Sequence, residues 1–214
     1  MSLVTPEMID YYVQFCQDLG RVDPYRPVNN AMFWMVVRGR GEPLTVADVA
    51  RRLGADPDTA VPRAVLELGD HVVLEQSDRG VIVLAATAYP SDPDIWARLT
   101  ENAQAWGFWW LVNNAHELFY AADGVLVTSV SQISSPGGPE CFGQDPTALD
   151  DYLEALRALG ARMKADDEAG VTRPAEPYRD WETALATVEA MTGVRLDLDR
   201  FTRKQQSVYA PSLR

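Results

Sequence analysis

The stretch WGFWWLVNNAHELFYAADG, residues 106–124, decides how this chain is read. Trp106, Phe108, Trp109 and Trp110 put large apolar side chains at both parities of a strand period, the pattern of an interior strand with apolar surroundings on each face. Residues 106–112 are therefore expected to be one strand and residues 116–121 a second. Asn113 and Asn114 tolerate left-handed backbone and bond their own chain, so they turn the chain between the two. Asp123-Gly124 is a tight turn in which the glycine supplies the positive φ, and residues 125–133 read as a third strand. Consecutive strands joined by short turns form an antiparallel meander. Burying one large aromatic removes ~150–250 Å² from water. At ~25 cal/mol per Å² that is several kcal/mol as an upper bound, so core formation alone accounts for the tryptophans.

Outward from this stretch, a length of 214 residues with 47% hydrophobic and 23% charged residues supports one folded domain with a substantial core and argues against disorder. No run reaches the ~18 apolar residues of a membrane span. The opening MSLVTPEMIDYY lacks the basic and apolar regions of a signal peptide. The two cysteines, Cys16 and Cys141, stand in no metal-ligand spacing. Together these features point to a cytoplasmic protein with reduced thiols. The formal charge of −12 repels nucleic acid and anionic lipid and would steer in a basic protein partner.

Thr5 and Pro6 open a helix over residues 5–19, with Ile9, Tyr12, Val13, Cys16 and Leu19 on one face and Gly20 at its end. A proline-rich connector leads to AMFWMVVR, residues 31–38, a strand apolar on both faces. Thr45 caps a helix over 45–53, residues 56–68 suggest another, and residues 71–75 and 81–86 form two strands around a turn. Further helices are expected at 92–102, capped by Asp92 with Pro93 at the first position, from Asp145-Pro146 onward, and from a capping Asp180 to Gly193. Residues 164–177 and 201–214 read as polar and loosely held. The expected architecture is α+β: a mainly antiparallel central sheet with helices packed on it, in a single domain over 1–200 with a tail at 201–214.

Candidate chemistry is sparse. Residues 44–88 have the order of a winged helix-turn-helix, yet they hold four arginines against seven acidic residues, and Pro62 lies inside the would-be recognition helix. Asn113, Asn114, His116 and Glu117 are the polar cluster beside the aromatic core and, with Trp109, the candidate ligand- or partner-binding residues. A His-Glu neighbour pair suits acid–base work, but adjacent strand residues point to opposite faces. No nucleophile elbow, phosphate loop or zinc-protease motif is present, and two histidines with two scattered cysteines do not make a zinc site. No catalytic residue, metal or cofactor is therefore expected. The Ser134–Gly138 segment is a loop.

The order of several short patterns resembles a family of uncharacterised actinobacterial proteins classed as a domain of unknown function. A strand ends in Val37-Arg38-Gly39, and a helix ends in Arg51-Arg52-Leu53-Gly54. A hairpin carries Trp110, Val112, Asn113, Tyr120, Asp123 and Gly124. A helix start carries Gly143, Asp145 and Pro146, and a helix end carries Thr192, Gly193, Val194 and Leu196. Leu111 stands where the family pattern has a further Asn. The resemblance covers about residues 30–200, implies an α+β domain that contains the helix at 45–53, and carries over no activity. On these grounds the chain is expected to be a non-enzymatic protein that binds another protein in an immunity-like or regulatory role, the acidic charge favouring a basic partner, with self-association left open. The alternatives are a small-molecule pocket near Trp109, Asn113 and His116, and a winged-helix DNA binder.

Overall fold

The computed structural model describes residues 2–22, 31–67, 71–86, 90, 92, 94–111, 113–172 and 174–213. Among the described residues nine strands form one sheet: β1 Ala31–Gly39, β2 Val61–Arg63, β3 His71–Ser77, β4 Gly80–Ala85, β5 Ala103–Leu111, β6 His116–Ala122, β7 Val125–Ser131, β8 Glu140–Phe142 and β9 Gln205–Tyr209. Their order is β2-β9-β3-β4-β1-β5-β6-β7-β8, and every pairing is antiparallel. Among the described residues six α-helices accompany it: α1 Pro6–Val22, α2 Val46–Arg52, α3 Ile95–Leu99, α4 Glu154–Glu168, α5 Asp180–Thr192 and α6 Leu198–Thr202. The fold is α+β, with helices packed on both faces of an antiparallel sheet.

The opening stretch lies well inside the sheet. β5 pairs with β1 from Ala31↔Leu111 to Gly39↔Ala103 and with β6 from Gln104↔Ala122 to Trp110↔His116. Alternate residues feed two cores, which is why both parities are apolar. Trp34, Phe108, Trp110 and Leu118 pack with Tyr12, Phe15, Leu156 and Leu185 of α1, α4 and α5. Phe33, Met35 and Phe119 pack with Val49, Leu53, Ile95 and Leu99 of α2 and α3 on the other face. Val112, Pro93 and the connector at 23–30 lie outside the described residues.

A local signal explains the start of α2. Thr45 Oγ1 accepts from the Asp48 N–H at 3.2 Å while the Asp48 carboxylate accepts from the Thr45 N–H at 2.9 Å, a complete capping box. Gly193 closes α5 in the left-handed conformation at φ 70. Gly20 does not end α1, which runs on to Val22.

The structure departs from expectation at several further places. Residues 57–63 form one 3-10 turn, Pro57–Thr59, and then β2, not a helix. Pro62 donates no backbone hydrogen bond and suits the outermost strand of the sheet. The recognition helix of a helix-turn-helix is thus absent among the described residues, and its supposed wing, β3–β4, is interior to the sheet. The tail is not loose: β9 lies between β2 and β3 with Ser207 and Val208 buried, and Ser207 donates to the Val61 carbonyl at 2.7 Å. Arg200 and Arg203 anchor the approach to β9 on Glu75 at 3.0 and 2.8 Å. The helix expected at 92–102 is only Ile95–Leu99, because Asp92 bonds the Asp94 N–H and Arg98 while β5 already begins at Ala103. Asp145 opens an Asx turn onto Thr147, not a helix, and regular helix starts at Glu154. That helix continues to Glu168, into the segment expected to be loose.

Candidate functional site

The five residues singled out in the sequence do not converge. Trp109 is paired with Glu117 and Trp110 with His116 in the β5–β6 ladder, so Glu117 and His116 occupy opposite faces of the sheet. Glu117 lies against the Trp109 indole and the Ser129 hydroxyl. Burial is the larger influence and raises its carboxyl pKa, while those two groups pull it down. Asn113 is committed to a turn, its side-chain oxygen accepting from the Ala115 N–H at 3.1 Å, and Asn114 is left-handed at φ 65. Trp109, Asn113 and His116 therefore do not share one pocket, and His116 with Glu117 cannot act as an acid–base pair.

His116 nevertheless has a definite task. Its Nδ1 lies 2.9 Å from the Asn114 carbonyl and must carry the proton, so Nε2 is free to accept from the Ile133 N–H at 3.1 Å. The ring stands edge-on to Trp181 with centroids 5.2 Å apart. Burial lowers its pKa below the usual 6.5, against the Asn114 carbonyl and the Asp180 charge. A lowered histidine pKa contributes stability that is complete above the unfolded value and lost as pH falls through the folded value. Burial of Glu117 and Glu182 works in the opposite sense, since raised carboxyl pKa values favour the fold at low pH. His116→Gln keeps an acceptor for Ile133 without the titration. Between about pH 7 and about pH 5 the wild-type Tm should fall further than that of the variant. Parallel Tm curves would show that His116 does not titrate against the fold.

Ile133 leads into a loop that borders a cleft on the helical side. The cleft, of about 390 Å³, is lined by Ser134 and Pro136 of this loop, Met163 and Asp167 of α4, and Tyr178, Arg179, Asp180, Trp181 and Glu182 at the start of α5. That volume is within the range of small-ligand sites. The loop is fastened, not free: Ser135 and Gly138 close turns onto Gln132 and Ser135, and the Gly137 N–H reaches the Gly160 carbonyl of α4 at 3.2 Å. The opposite wall is the segment before α5. Tyr178 donates to Asp166 at 3.1 Å, Arg162 lies over the Tyr178 ring at 5.2 Å, and Arg179 pairs with Asp10 of α1 at 2.6 Å. Arg179 occupies the N-cap in the left-handed conformation, φ 58 and ψ 38, unusual for a non-glycine residue.

Trp181 forms the floor. One part of its indole packs on Phe108 and Trp110, with centroids 5.7 and 5.5 Å away, and it remains only partly buried where it meets the cleft. Asp167, Asp180 and Glu182 have no ion pair among the described residues, and the one guanidinium that lines the cleft among those residues, Arg179, pairs with Asp10 while its charge also acts on Glu182. Burial raises the Glu182 carboxyl pKa and the neighbouring Asp180 charge adds to this, while a backbone hydrogen bond and the Arg179 charge pull it down. The Ser134 hydroxyl is buried with no partner among the described residues. In α1, burial and the Glu182 charge push the Cys16 thiol up to about 12, so it is protonated and unreactive at neutral pH. Among the described residues no group of three metal-ligating side chains converges on a point. The three carboxylates thus surround a space instead of focusing on an ion, an arrangement suited to an extended organic cation over an aromatic ring.

Sequence reading placed Trp181 on the inward face of the last helix and Asp180 at its cap. The structure makes Asp180 the first helical residue, where its charge is favoured by the helix dipole. The triplet Asp180-Trp181-Glu182, a tryptophan between acids in a first helical turn, was the available signal. Among the described residues no helix is long and apolar enough to cross a membrane. Set beside known proteins, the chain matches no family model, no curated protein and no solved structure.

Proposed function

We propose that this chain is a binding protein that receives a basic protein partner in the cleft between the loop at 134–138 and the start of α5. One observation carries the reading: Trp181 lines an open cleft whose three carboxylates form no salt bridge among the described residues, while the one arginine described there is paired with Asp10. A lysine or arginine side chain entering there would gain charge-assisted hydrogen bonds and a cation–π contact. The overall charge of −12 would speed the encounter and make it salt-sensitive. The pocket once expected at Trp109, Asn113 and His116 has no such support, since these residues do not face a common space.

A short arginine-containing peptide tests the reading by calorimetry. It should bind in the micromolar range or tighter and weaken as salt rises. Asp180→Asn with Glu182→Gln should weaken it about tenfold. Glu42→Gln with Glu101→Gln removes the same charge from exposed positions elsewhere and should leave binding nearly unchanged. Equal losses in the two double variants would reduce the effect to overall charge and overturn the assignment.

A further inference from the structure

A second cavity, of about 340 Å³, adjoins the cleft, and Pro177, Tyr178 and Arg179 line both. The two therefore adjoin, with Pro177–Arg179 as the saddle between them. Their chemistry differs. The second cavity is floored by Pro6 and Ile9 of α1 and by Ala155, Ala158 and Leu159 of α4. Three of its four charged side chains are engaged: Arg179 pairs with Asp10 at 2.6 Å, while Arg162 donates to the Glu176 backbone carbonyl at 2.6 Å and covers the Tyr178 ring. Two guanidiniums and two carboxylates line it, so it presents no net charge to a ligand. An apolar side chain gains most in such a place, since it displaces water from an apolar floor without stranding a charge.

We infer that the groove reads a bipartite segment of the partner, a lysine or arginine seated over Trp181 and a large apolar residue close to it in sequence seated over Ile9 and Leu159. This rests on the basic-partner reading of the cleft and names the partner's chemistry more closely. Charge complementarity selects the occupant on one side of the saddle and the neutral apolar floor selects it on the other. A free organic cation would use the first half alone. The saddle keeps the two halves distinct: it is tied to α4 through Tyr178 and Asp166 and to α1 through Arg179 and Asp10.

The test uses labelled short peptides of otherwise neutral sequence and reads anisotropy with the full chain. The parent peptide carries an adjacent Arg-Leu pair; its relatives replace Arg by Gln or Leu by Ser, and agmatine serves as a competitor. Each replacement should weaken binding to the wild-type protein about tenfold. In a double-mutant cycle the Arg effect should vanish with Asp180→Asn and Glu182→Gln, and the Leu effect with Ile9→Gln. Ala158→Gln, at an exposed position of α4, fills the apolar half without touching the core, so the Leu effect can be read even if Ile9→Gln fails to fold. If Leu→Ser costs nothing while Arg→Gln still does, the bipartite inference falls and the basic-partner reading stands. If no peptide binds, both fall. If agmatine binds as tightly as the parent peptide, the groove serves a small cation and the bipartite inference is overturned.

Discussion

Gly107→Ala is expected to destabilise the fold by roughly 3 kcal/mol or more, among the larger effects of a single methyl. Gly107 sits in β5 opposite Met35 of β1 and Phe119 of β6. A Cβ there would lie 2.4 Å from the Trp34 carbonyl oxygen and 2.6 Å from the Phe119 ring. The missing side chain is what lets Phe119 fold across the strand, where it stacks with Phe33 at 6.2 Å and meets Trp96 at 4.8 Å. The new methyl would push against backbone on one side and a core aromatic on the other, in an interior strand with no freedom to retreat. Denaturant unfolding reads the effect, with Gly41→Ala as the control, since nothing lies within 4 Å of its would-be Cβ. A Gly107→Ala protein within about 1 kcal/mol of wild type would mean that the β1–β5–β6 contact is looser than its geometry implies.

Gly160→Ala should also destabilise, in defiance of helix propensity. In mid-helix, alanine is better than glycine by ~1 kcal/mol, and Gly160 is well inside α4. Its Cβ, however, would stand 2.1 Å from the Gly138 Cα and 2.4 Å from the Gly138 nitrogen. The loop at 134–138 rests backbone-to-backbone on α4 at this point, and the Gly137 N–H bonds the Gly160 carbonyl. Alanine would lift the loop, at a cost of about 2 kcal/mol net of the propensity gain. Ser134 and Pro136 would move with it, so binding of the arginine-containing peptide should weaken along with stability. A variant more stable than wild type would show that the loop yields without resistance and does not hold the cleft wall.

The strands with both faces apolar were legible in the sequence. β1 and β5 carry large side chains at both parities because helices cover both sides, and the turns at Asn113-Asn114 and Asp123-Gly124 announced themselves through residues that accept left-handed backbone. The Thr45–Asp48 capping box is complete within four residues, and so it was readable too. β9 was not. Gln205-Gln206-Ser207-Val208-Tyr209 has little apolar content of its own, and it is a strand because β3 and β2 offer it two hydrogen-bonding edges. The Asp145-Pro146 pair was ambiguous for a local reason, since the same residues open turns and helices.

The cleft lay further from view. Trp181 was readable as a core residue, and part of it is one, but which part of the indole stays uncovered depends on where α4, α5 and the loop at 134–138 stop. No local pattern announces a left-handed arginine at position 179, nor that its side chain meets Asp10, which is 169 residues away. By itself the sequence determined the α+β class, the meander at its centre and the sign of the surface charge, because strand parity, turn chemistry and net charge are local or additive. The tertiary structure alone decided that the tail is a strand, that His116 and Glu117 part company across the sheet, and that three carboxylates gather around Trp181, because those outcomes depend on which distant segments arrive beside one another.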